Sequence, residues 1–308
     1  MTGDTSFRAM PPVAPEGAPL SGKRDIWYES TDGLKLYAAD YGPADAPLTA
    51  LCMHGLTRNH KDFEPMIARL DILCRYISVD VRGRGLSDRD PNKAYTPDVY
   101  ARDMITLLDT LGLQKVVLIG TSMGGLMAML MAAVAKERIQ GVVLNDVGPV
   151  VNVDGLKRIA GYTSGVRSFP DWQSAAGAIG ATQKEVFPEF TADDWMDFAR
   201  RTCRETESGA VVFDYDPAIT EGMNVAAPGW RVQFLAWRLF GKMTKLPLLI
   251  IRGENSDILT AKTAGMMRRR GKDARLVAVK DRGHAPTLSE PDAVAAISDF
   301  LAKQLAAV

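Results

Sequence analysis

Residues 116–125 read Val-Val-Leu-Ile-Gly-Thr-Ser-Met-Gly-Gly, and this stretch decides the fold. It begins a segment, Val116 to Ala135, that has no charged residue and is long enough to span a bilayer. Glycine, threonine and serine interrupt the segment at its centre, between a β-branched run and a run rich in Met, Leu and Ala. This pattern predicts a buried strand that turns directly into a buried helix, and it argues against a membrane span.

Short apolar runs without charge recur on both sides of this unit, as expected for strands that are covered on both faces of a parallel sheet. The predicted strands are Leu48–Met53, Tyr76–Val79, Val116–Ile119, Val142–Leu144, Leu248–Ile251 and Leu276–Val279, preceded by a hairpin of Ile26–Ser30 and Leu34–Ala39. Amphipathic helical patterns lie between them, for example after Thr96-Pro97. The alternation predicts an α/β fold with a mostly parallel sheet.

One long stretch breaks the alternation of strand and helix patterns. Between Pro149 and about Lys245 no comparable strand pattern appears, and the apolar content is too high for a disordered loop. We therefore expect a helical cap at residues 150–245, inserted into a core formed by residues 23–149 and 246–308. Residues 1–22 are rich in proline and have no signal-peptide pattern, so a flexible tail is expected there.

The composition excludes several classes of function. With 46% hydrophobic and 24% charged residues among 308, the chain is typical of a globular protein. The 37 basic and 37 acidic residues balance, so no net charge favours nucleic acid or an acidic membrane as a partner. The three cysteines, Cys52, Cys74 and Cys203, lack metal or redox spacing and are expected to be buried thiols in the cytoplasm. No metal, phosphate or dinucleotide motif is present, so neither a metal nor a cofactor is expected.

The turn after the fifth predicted strand has the residues that a nucleophilic serine requires. Gly120-Thr121-Ser122-Met123-Gly124 matches G-x-S-x-G in a strand–turn–helix context. Small residues on both sides permit a tight turn that lifts the Ser122 hydroxyl above the sheet edge. Met123 begins the helix, where its free N–H can face a developing oxyanion. The alternative is a tight turn with an incidental serine.

The chain resembles the α/β-hydrolase family over nearly its whole length. The resemblance rests on His54-Gly55-Leu56 after the third strand, the Asp80–Ser87 loop after the fourth, the Ser122 turn after the fifth, and Gly283-His284 near the end. It implies a mostly parallel eight-stranded sheet flanked by helices, with a helical cap inserted after the sixth strand. It also implies a serine hydrolase of the carboxylesterase, enol-lactonase or carbon–carbon hydrolase kind.

The same resemblance assigns the remaining site residues. The N–H groups of Leu56 and Met123 are expected to form the oxyanion hole. The chain order of serine, acid and histidine makes His284 the general base. Asp257 is preferred over Glu254 as the acid, in the loop after the preceding strand, and Asp146 after the sixth strand is held in reserve because some relatives take their acid from there.

The other two of the three histidines have expected roles outside the chemistry. By the resemblance, His54 holds the turn after the third strand through hydrogen bonds. His60 lies at the start of a predicted helix, where we expect a polar and partly exposed side chain.

These residues predict a cofactor-free serine hydrolase that cleaves small to medium carboxylic esters or lactones through an acyl-enzyme on Ser122. Trp230, Phe234 and Trp237 stand at helical spacing in the cap and are candidates for the wall of an apolar substrate pocket; the alternative is a helix stripe that serves packing, as such stripes more often do. Two alternatives stay open: hydrolysis of a carbon–carbon bond in a vinylogous diketone by the same residues, and a small-molecule receptor on a hydrolase scaffold. The chain is expected to be a monomer or a homodimer.

Overall fold

The computed structural model describes residues 22–163, 168–221 and 229–308, and the structural statements below concern these ranges. Eleven strands form one large and one small sheet. They are β1 (Arg24–Glu29), β2 (Lys35–Tyr41), β3 (Thr49–Met53), β4 (Arg75–Asp80), β5 (Val116–Thr121), β6 (Ile139–Asn145), β7 (Ser168–Phe169), β8 (Cys203–Glu205), β9 (Val211–Phe213), β10 (Pro247–Gly253) and β11 (Asp273–Val279).

The large sheet has eight strands in the order β1-β2-β4-β3-β5-β6-β10-β11. Strand β2 is antiparallel to both β1 and β4, and all other neighbours in the sheet are parallel. The predicted α/β class and mostly parallel eight-stranded sheet are therefore confirmed. Because β3, β5, β6, β10 and β11 run in the same direction, the loops that follow them meet at one edge of the sheet.

Nine α-helices lie in the described part of the chain, and five of them, the first three and the last two, pack on the two faces of the large sheet. The nine helices are α1 (Glu64–Ile67), α2 (Pro97–Thr110), α3 (Met123–Val134), α4 (Val153–Thr163), α5 (Trp172–Gln183), α6 (Ala192–Thr202), α7 (Trp230–Gly241), α8 (Ala261–Arg270) and α9 (Pro291–Leu305). Successive side chains of β3 point to opposite faces: Leu51 and Met53 pack with α2, α3 and α8, whereas Ala50 and Cys52 pack with α1 and α9. Two apolar cores therefore hold the central strands.

The stretch of chain between β6 and β10 is called the inserted segment below (residues 150–245), and its structure is given for its described residues only. It contains α4 to α7 and a small antiparallel sheet in the order β7-β9-β8. The sequence analysis did not predict these three strands, because strands of two or three residues are too short to show an alternating pattern. The tail expected at residues 1–22 lies, up to residue 21, outside the described residues.

The three cysteines agree with the expectation that they are buried thiols. All three cysteines are buried, and burial raises the pKa values of Cys74 and Cys203 to about 12. Within residues 22–163, 168–221 and 229–308, no helix combines the length and apolar character needed to cross a membrane. The cytoplasmic location remains a prediction.

Candidate active site

Ser122 lies at the turn between β5 and α3, in a backbone conformation that few residues adopt. Its φ is 51° and its ψ is −112°, so the turn is strained, and its N–H donates to the Asn145 carbonyl at 2.9 Å. Glycine is required on both sides. A side chain at Gly120 would meet the backbone of Gly124, and one at Gly124 would meet the Met53 carbonyl. The serine hydroxyl is therefore held above the sheet edge by close packing of α3 against β3 and β5.

His284, in the loop after β11, lies against this hydroxyl. Its Nε2 is 2.9 Å from Ser122 Oγ, and its side chain is 6% exposed. The loop is tied to the sheet by Asn145, whose amide nitrogen donates to the Pro286 carbonyl at 2.8 Å. The structure thus brings together the two residues that sequence reasoning placed as nucleophile and base.

Asp146, and not Asp257, is the carboxylate that contacts His284. Its Oδ2 lies 2.7 Å from His284 Nδ1, and the side chain is fully buried. The same carboxylate accepts hydrogen bonds from the Gly253 N–H at 3.0 Å and from the Ser256 hydroxyl at 2.5 Å. The preferred acid of the sequence analysis is therefore corrected: the reserve residue after β6 occupies the position beside the histidine.

Asp257 has a different partner. Both of its oxygens accept from the Arg158 guanidinium of α4, at 2.6 and 2.8 Å. Partial burial alone would raise the pKa of Asp257, but the hydrogen bonds and charge of Arg158 lower it below its usual value. Arg158 therefore directs this carboxylate into an ion pair with the inserted segment.

Ser256 is a site residue that sequence reasoning missed. Its hydroxyl donates to Asp146 and accepts from the N–H groups of Ile258 and Leu259 at 3.2 and 3.1 Å, so its rotamer is fixed. The loop after β10 thus contributes to the site a hydroxyl that holds the Asp146 carboxylate, and not the carboxylate that contacts His284. Serine next to aspartate in a loop gives no sequence signal that distinguishes the two roles.

Leu56 and Met123 flank Ser122 as the resemblance implies. Met123 is the first residue of α3, so its N–H has no acceptor within the helix. The Cβ of an alanine at position 55 would lie 3.8 Å from Ser122 Cβ, which places the Gly55–Leu56 peptide beside the nucleophile. An oxyanion hole formed by these two N–H groups remains a proposal.

The other two histidines are buried and hydrogen-bonded. His54 Nε2 accepts from the Val81 N–H at 3.1 Å, and its Nδ1 lies 2.7 Å from the Gly55 carbonyl, in agreement with an architectural role. His60 was expected to be partly exposed, but it is 5% exposed, with Nδ1 2.9 Å from Asp80 Oδ1. Its polarity is satisfied by a buried carboxylate instead of water.

The stability of the protein is expected to fall in acid because of His54. Burial lowers the pKa of His54 to about 4. As the pH falls, the ring is protonated near pH 6.5 in the unfolded chain but only near pH 4 in the folded protein. The neutral ring therefore contributes about 3 kcal/mol above pH 6.5, and this contribution is lost as the pH falls towards 4. Urea unfolding of the wild type and of His54→Gln at pH 7 and 4.5 tests this prediction. The free energy of unfolding is expected to fall more between these pH values in the wild type than in His54→Gln, and a fall of equal size in both proteins contradicts the prediction.

A cavity of about 340 Å³ opens at Ser122 and His284. Its walls are largely apolar and come mainly from the inserted segment. The apolar side chains in its lining include Ile159, Phe169, Ile179, Phe187, Phe198 and Phe213. This volume lies at the lower end of the range of small-molecule sites, which is about 300–1,000 Å³.

Trp230, Phe234 and Trp237 are not among the described residues that line this cavity, so their predicted role in the pocket is wrong. Trp230 is 73% exposed and Phe234 57% exposed on the first half of α7. Trp237 packs edge-on against Phe240, at 5.7 Å, and under the Arg270 guanidinium. The helix turns its C-terminal half towards the sheet, so its aromatic stripe packs against the core or faces solvent.

Arg58 is a cationic side chain in the cavity that sequence reasoning missed. Its guanidinium forms an ion pair with Asp62, donates to the Thr202 hydroxyl at 2.9 Å and lies 3.9 Å over the Phe198 ring. It lies two residues after Leu56, and the contacts with Phe198 and Thr202 join the core to α6. A lone arginine in a loop carries no sequence pattern that marks it as a pocket residue.

The described site residues can carry out proton transfer in one line. Hydroxyl, imidazole and carboxylate are joined by hydrogen bonds of 2.9 and 2.7 Å, which lets the ring take the serine proton while the carboxylate orients the ring. In the part of the chain that the structure describes, no cluster of three or more His, Cys, Asp or Glu side chains is placed to hold a metal ion.

Known proteins resemble this chain over most of its length. A family described as the alpha/beta hydrolase family matches residues 50–297. The chain is 31% identical over 268 residues to a 3-hydroxybutyrate-oligomer hydrolase of Cupriavidus necator, covering 85% of this chain and 90% of the relative. It is 29% identical over 253 residues to a 2-(acetamidomethylene)succinate hydrolase of Mesorhizobium japonicum, and the match covers 82% of this chain and 87% of the relative. A crystal structure of an alpha/beta hydrolase from Novosphingobium aromaticivorans superposes on this chain with a TM-score of 0.85 at 40% sequence identity. The superposition covers 91% of this chain and 98% of the other.

Proposed function

The chain belongs to the α/β-hydrolase family, and on that premise we propose that this hydrolase cleaves carboxylic esters through an acyl-enzyme on Ser122. The observation that carries the proposal is the hydrogen-bonded line from Ser122 through His284 to Asp146. An ester carbonyl is the electrophile that such an activated hydroxyl attacks most directly.

In the proposed first half-reaction, His284 Nε2 removes the proton of Ser122 Oγ as the oxygen attacks the ester carbonyl. The positive charge that forms on the ring is stabilised by the buried Asp146 carboxylate at Nδ1. The N–H groups of Leu56 and Met123 hydrogen-bond the oxygen of the tetrahedral intermediate. His284 then donates its proton to the leaving alkoxide, and the acyl group stays on the serine.

In the proposed second half-reaction, a water molecule attacks the acyl-enzyme. His284 acts again as the base, now towards the water, and the same two N–H groups stabilise the second tetrahedral intermediate. Collapse of this intermediate returns the proton from the ring to Ser122 and releases a carboxylic acid. Both half-reactions use only groups of this chain, water and the ester.

The cavity favours small to medium acyl groups with apolar character. Phenylalanine and isoleucine side chains of the inserted segment form its upper wall, so we propose that this segment acts as a cap over the site. The relative named as a 3-hydroxybutyrate-oligomer hydrolase suggests short oligoesters of hydroxy acids as one natural substrate class. Lactones, which are internal esters, fit the same chemistry.

A panel of p-nitrophenyl esters with acyl chains of two to eight carbons tests the proposed function. We expect turnover of the shorter esters by the wild type. Ala178→Phe narrows the cavity, so this variant is expected to lower kcat/KM for the octanoate about tenfold relative to the acetate. Gln173→Phe on the exposed side of the same helix is the matched control and is expected to keep the wild-type preference. Absence of ester turnover in the wild type contradicts the proposal.

A second candidate function is hydrolysis of a carbon–carbon bond in a vinylogous diketone that carries a carboxylate. Arg58 favours it, because its side chain lines the same cavity as Ser122, and a guanidinium that is already paired with Asp62 can take a substrate carboxylate as a further partner. Dienoate diketones in the same panel distinguish this function from ester hydrolysis. A receptor function is distinguished by tight ligand binding without turnover and without labelling by a fluorophosphonate.

A further inference from the structure

The loop after β4 carries two buried arginines with opposite surroundings. Arg82 donates to three carboxylates, those of Asp32, Asp90 and Asp103, at 2.7 to 2.9 Å. Arg84 is equally buried, with 1% exposed, yet no ion pair joins its guanidinium to a carboxylate within the described ranges. Arg82 is paired directly with carboxylates, whereas the Asp216 carboxylate attracts Arg84 only from beyond ion-pair distance.

The partners of Arg84 are neutral, and two of them belong to the proposed oxyanion hole. Nε donates to the Leu56 carbonyl at 3.0 Å, and Nη2 lies 3.5 Å from the Met123 sulfur. Nη1 donates to the Arg82 carbonyl at 2.8 Å and to the Tyr100 hydroxyl at 3.0 Å. A single guanidinium therefore contacts both residues whose N–H groups flank Ser122.

A buried cation without an anionic partner is costly, and burial lowers the pKa of Arg84 accordingly. Such a charge is useful where negative charge develops during a reaction, because in a dry interior it acts over a longer range than in water. The negative charge of a tetrahedral intermediate would develop at the N–H groups of Leu56 and Met123, the two residues of the proposed oxyanion hole that this guanidinium contacts.

We propose that Arg84 is a positioning residue for the oxyanion hole: it holds the Leu56 and Met123 segments in register and places a positive charge without an ion-pair partner beside these two residues. The proposal rests on the proposed function. It deepens that function because it adds a side-chain charge to a hole otherwise made of backbone groups. The hydrogen bond to the Leu56 carbonyl fixes the peptide plane that follows the Leu56 N–H, and the contact with Met123 fixes the first turn of α3.

Arg84→Met and Arg84→Lys in the full-length chain test the proposal. Fluorophosphonate titration counts competent sites, so that kcat refers to folded enzyme alone. We expect Arg84→Met to lower kcat for p-nitrophenyl butyrate about 10²-fold with KM changed less than about threefold. Arg84→Lys, which keeps the charge but has fewer donors, is expected to lie between the wild type and Arg84→Met.

Inhibitor binding separates a role in charge stabilisation from a structural role. Butylboronic acid forms a negatively charged tetrahedral adduct with a serine, whereas N-phenylbutyramide is a neutral analogue of the ground state. Arg84→Met is expected to weaken the boronic acid about 10²-fold and the amide less than about threefold. If Arg84→Met does not fold, Arg84→Lys is expected to weaken the boronic acid at least about threefold more than the amide.

Tyr100→Phe is the matched control, because it removes a neutral partner of Arg84 and leaves the contacts with Leu56 and Met123 in place. It is expected to keep kcat within about threefold of the wild type. Equal weakening of both inhibitors overturns the proposal, and so does an Arg84→Lys enzyme as slow as Arg84→Met. A folded Arg84→Met enzyme with wild-type kcat overturns it as well.

Ser122→Ala tests the proposed function separately from the role of Arg84. Full activity of Ser122→Ala contradicts the acyl-enzyme whatever the Arg84 variants do. An enzyme that Ser122→Ala inactivates and Arg84→Met leaves unchanged contradicts only the role of Arg84.

Discussion

Asp146→Asn is expected to lower kcat/KM about 10⁴-fold, whereas Asp257→Asn keeps activity within about tenfold of the wild type. An amide at position 146 has no negative charge to stabilise the protonated ring of His284. Its NH₂ group can also face Nδ1, whose N–H needs an acceptor. Asp257 is bonded to Arg158, so its loss weakens an ion pair between the loop after β10 and α4. Steady-state kinetics of the two purified variants measure the difference.

The comparison is sharp because both variants make the same chemical change at the same edge of the sheet. Thermal unfolding controls for misfolding, since Asp146 also accepts from the Gly253 N–H and the Ser256 hydroxyl. The account is contradicted if Asp257→Asn is the variant that loses activity while Asp146→Asn retains it.

Ser122→Ala is expected to abolish ester turnover to at least about 10⁴-fold below the wild type, with the fold intact. Alanine removes the only atom that bonds to the substrate in the proposed mechanism. The strained backbone at this position disfavours any β-carbon, so the variant is not expected to lose stability relative to the serine. Kinetics with p-nitrophenyl acetate and a urea unfolding curve check both statements.

Ser174→Ala, a change of the same kind on an exposed position of α5, is the control for Ser122→Ala and is expected to behave as the wild type. Ester cleavage by Ser122→Ala at a substantial fraction of the wild-type rate would remove the serine from the chemistry. The site would then have to act through a water molecule activated by His284.

The α/β architecture could be predicted from local patterns, because each central strand is a short apolar run and each crossover helix has its own periodicity. The nucleophile could be predicted for a related reason. Ser122 is marked by glycines that its own strand and helix require, and these requirements lie within five residues of it. His284 could be placed because few histidines compete for the role.

The acid could not be chosen from the sequence alone. Loops after β6 and β10 end at the same edge of the sheet, so both Asp146 and Asp257 lie near the histidine loop. The choice depends on side-chain direction. Asp146 has a φ of 57°, and its carboxylate accepts from the loop after β10, whereas Arg158 binds Asp257 from the inserted segment. Neither the backbone conformation of Asp146 nor the ion pair of Asp257 can be recognised from the spacing of residues in the sequence.

The pocket was predicted from the wrong aromatic residues for a similar reason. Helical spacing shows that Trp230, Phe234 and Trp237 share a face, but it does not show what that face packs against. The aromatic residues that do line the cavity come from five different elements, namely α4, α6, β7, β9 and the turn after α5, so no single helical stripe contains them. Their contribution depends on how the inserted segment folds over the sheet edge.

Rapid-quench mass spectrometry of the acyl-enzyme tests the central claim most directly. When the enzyme is mixed with p-nitrophenyl butyrate and quenched in acid before steady state, we predict an added butyryl group on the peptide that contains Ser122. The same peptide from Asp146→Asn should acquire the group far more slowly. A butyryl group on another residue, or ester turnover with no covalent adduct at any time, would contradict the account.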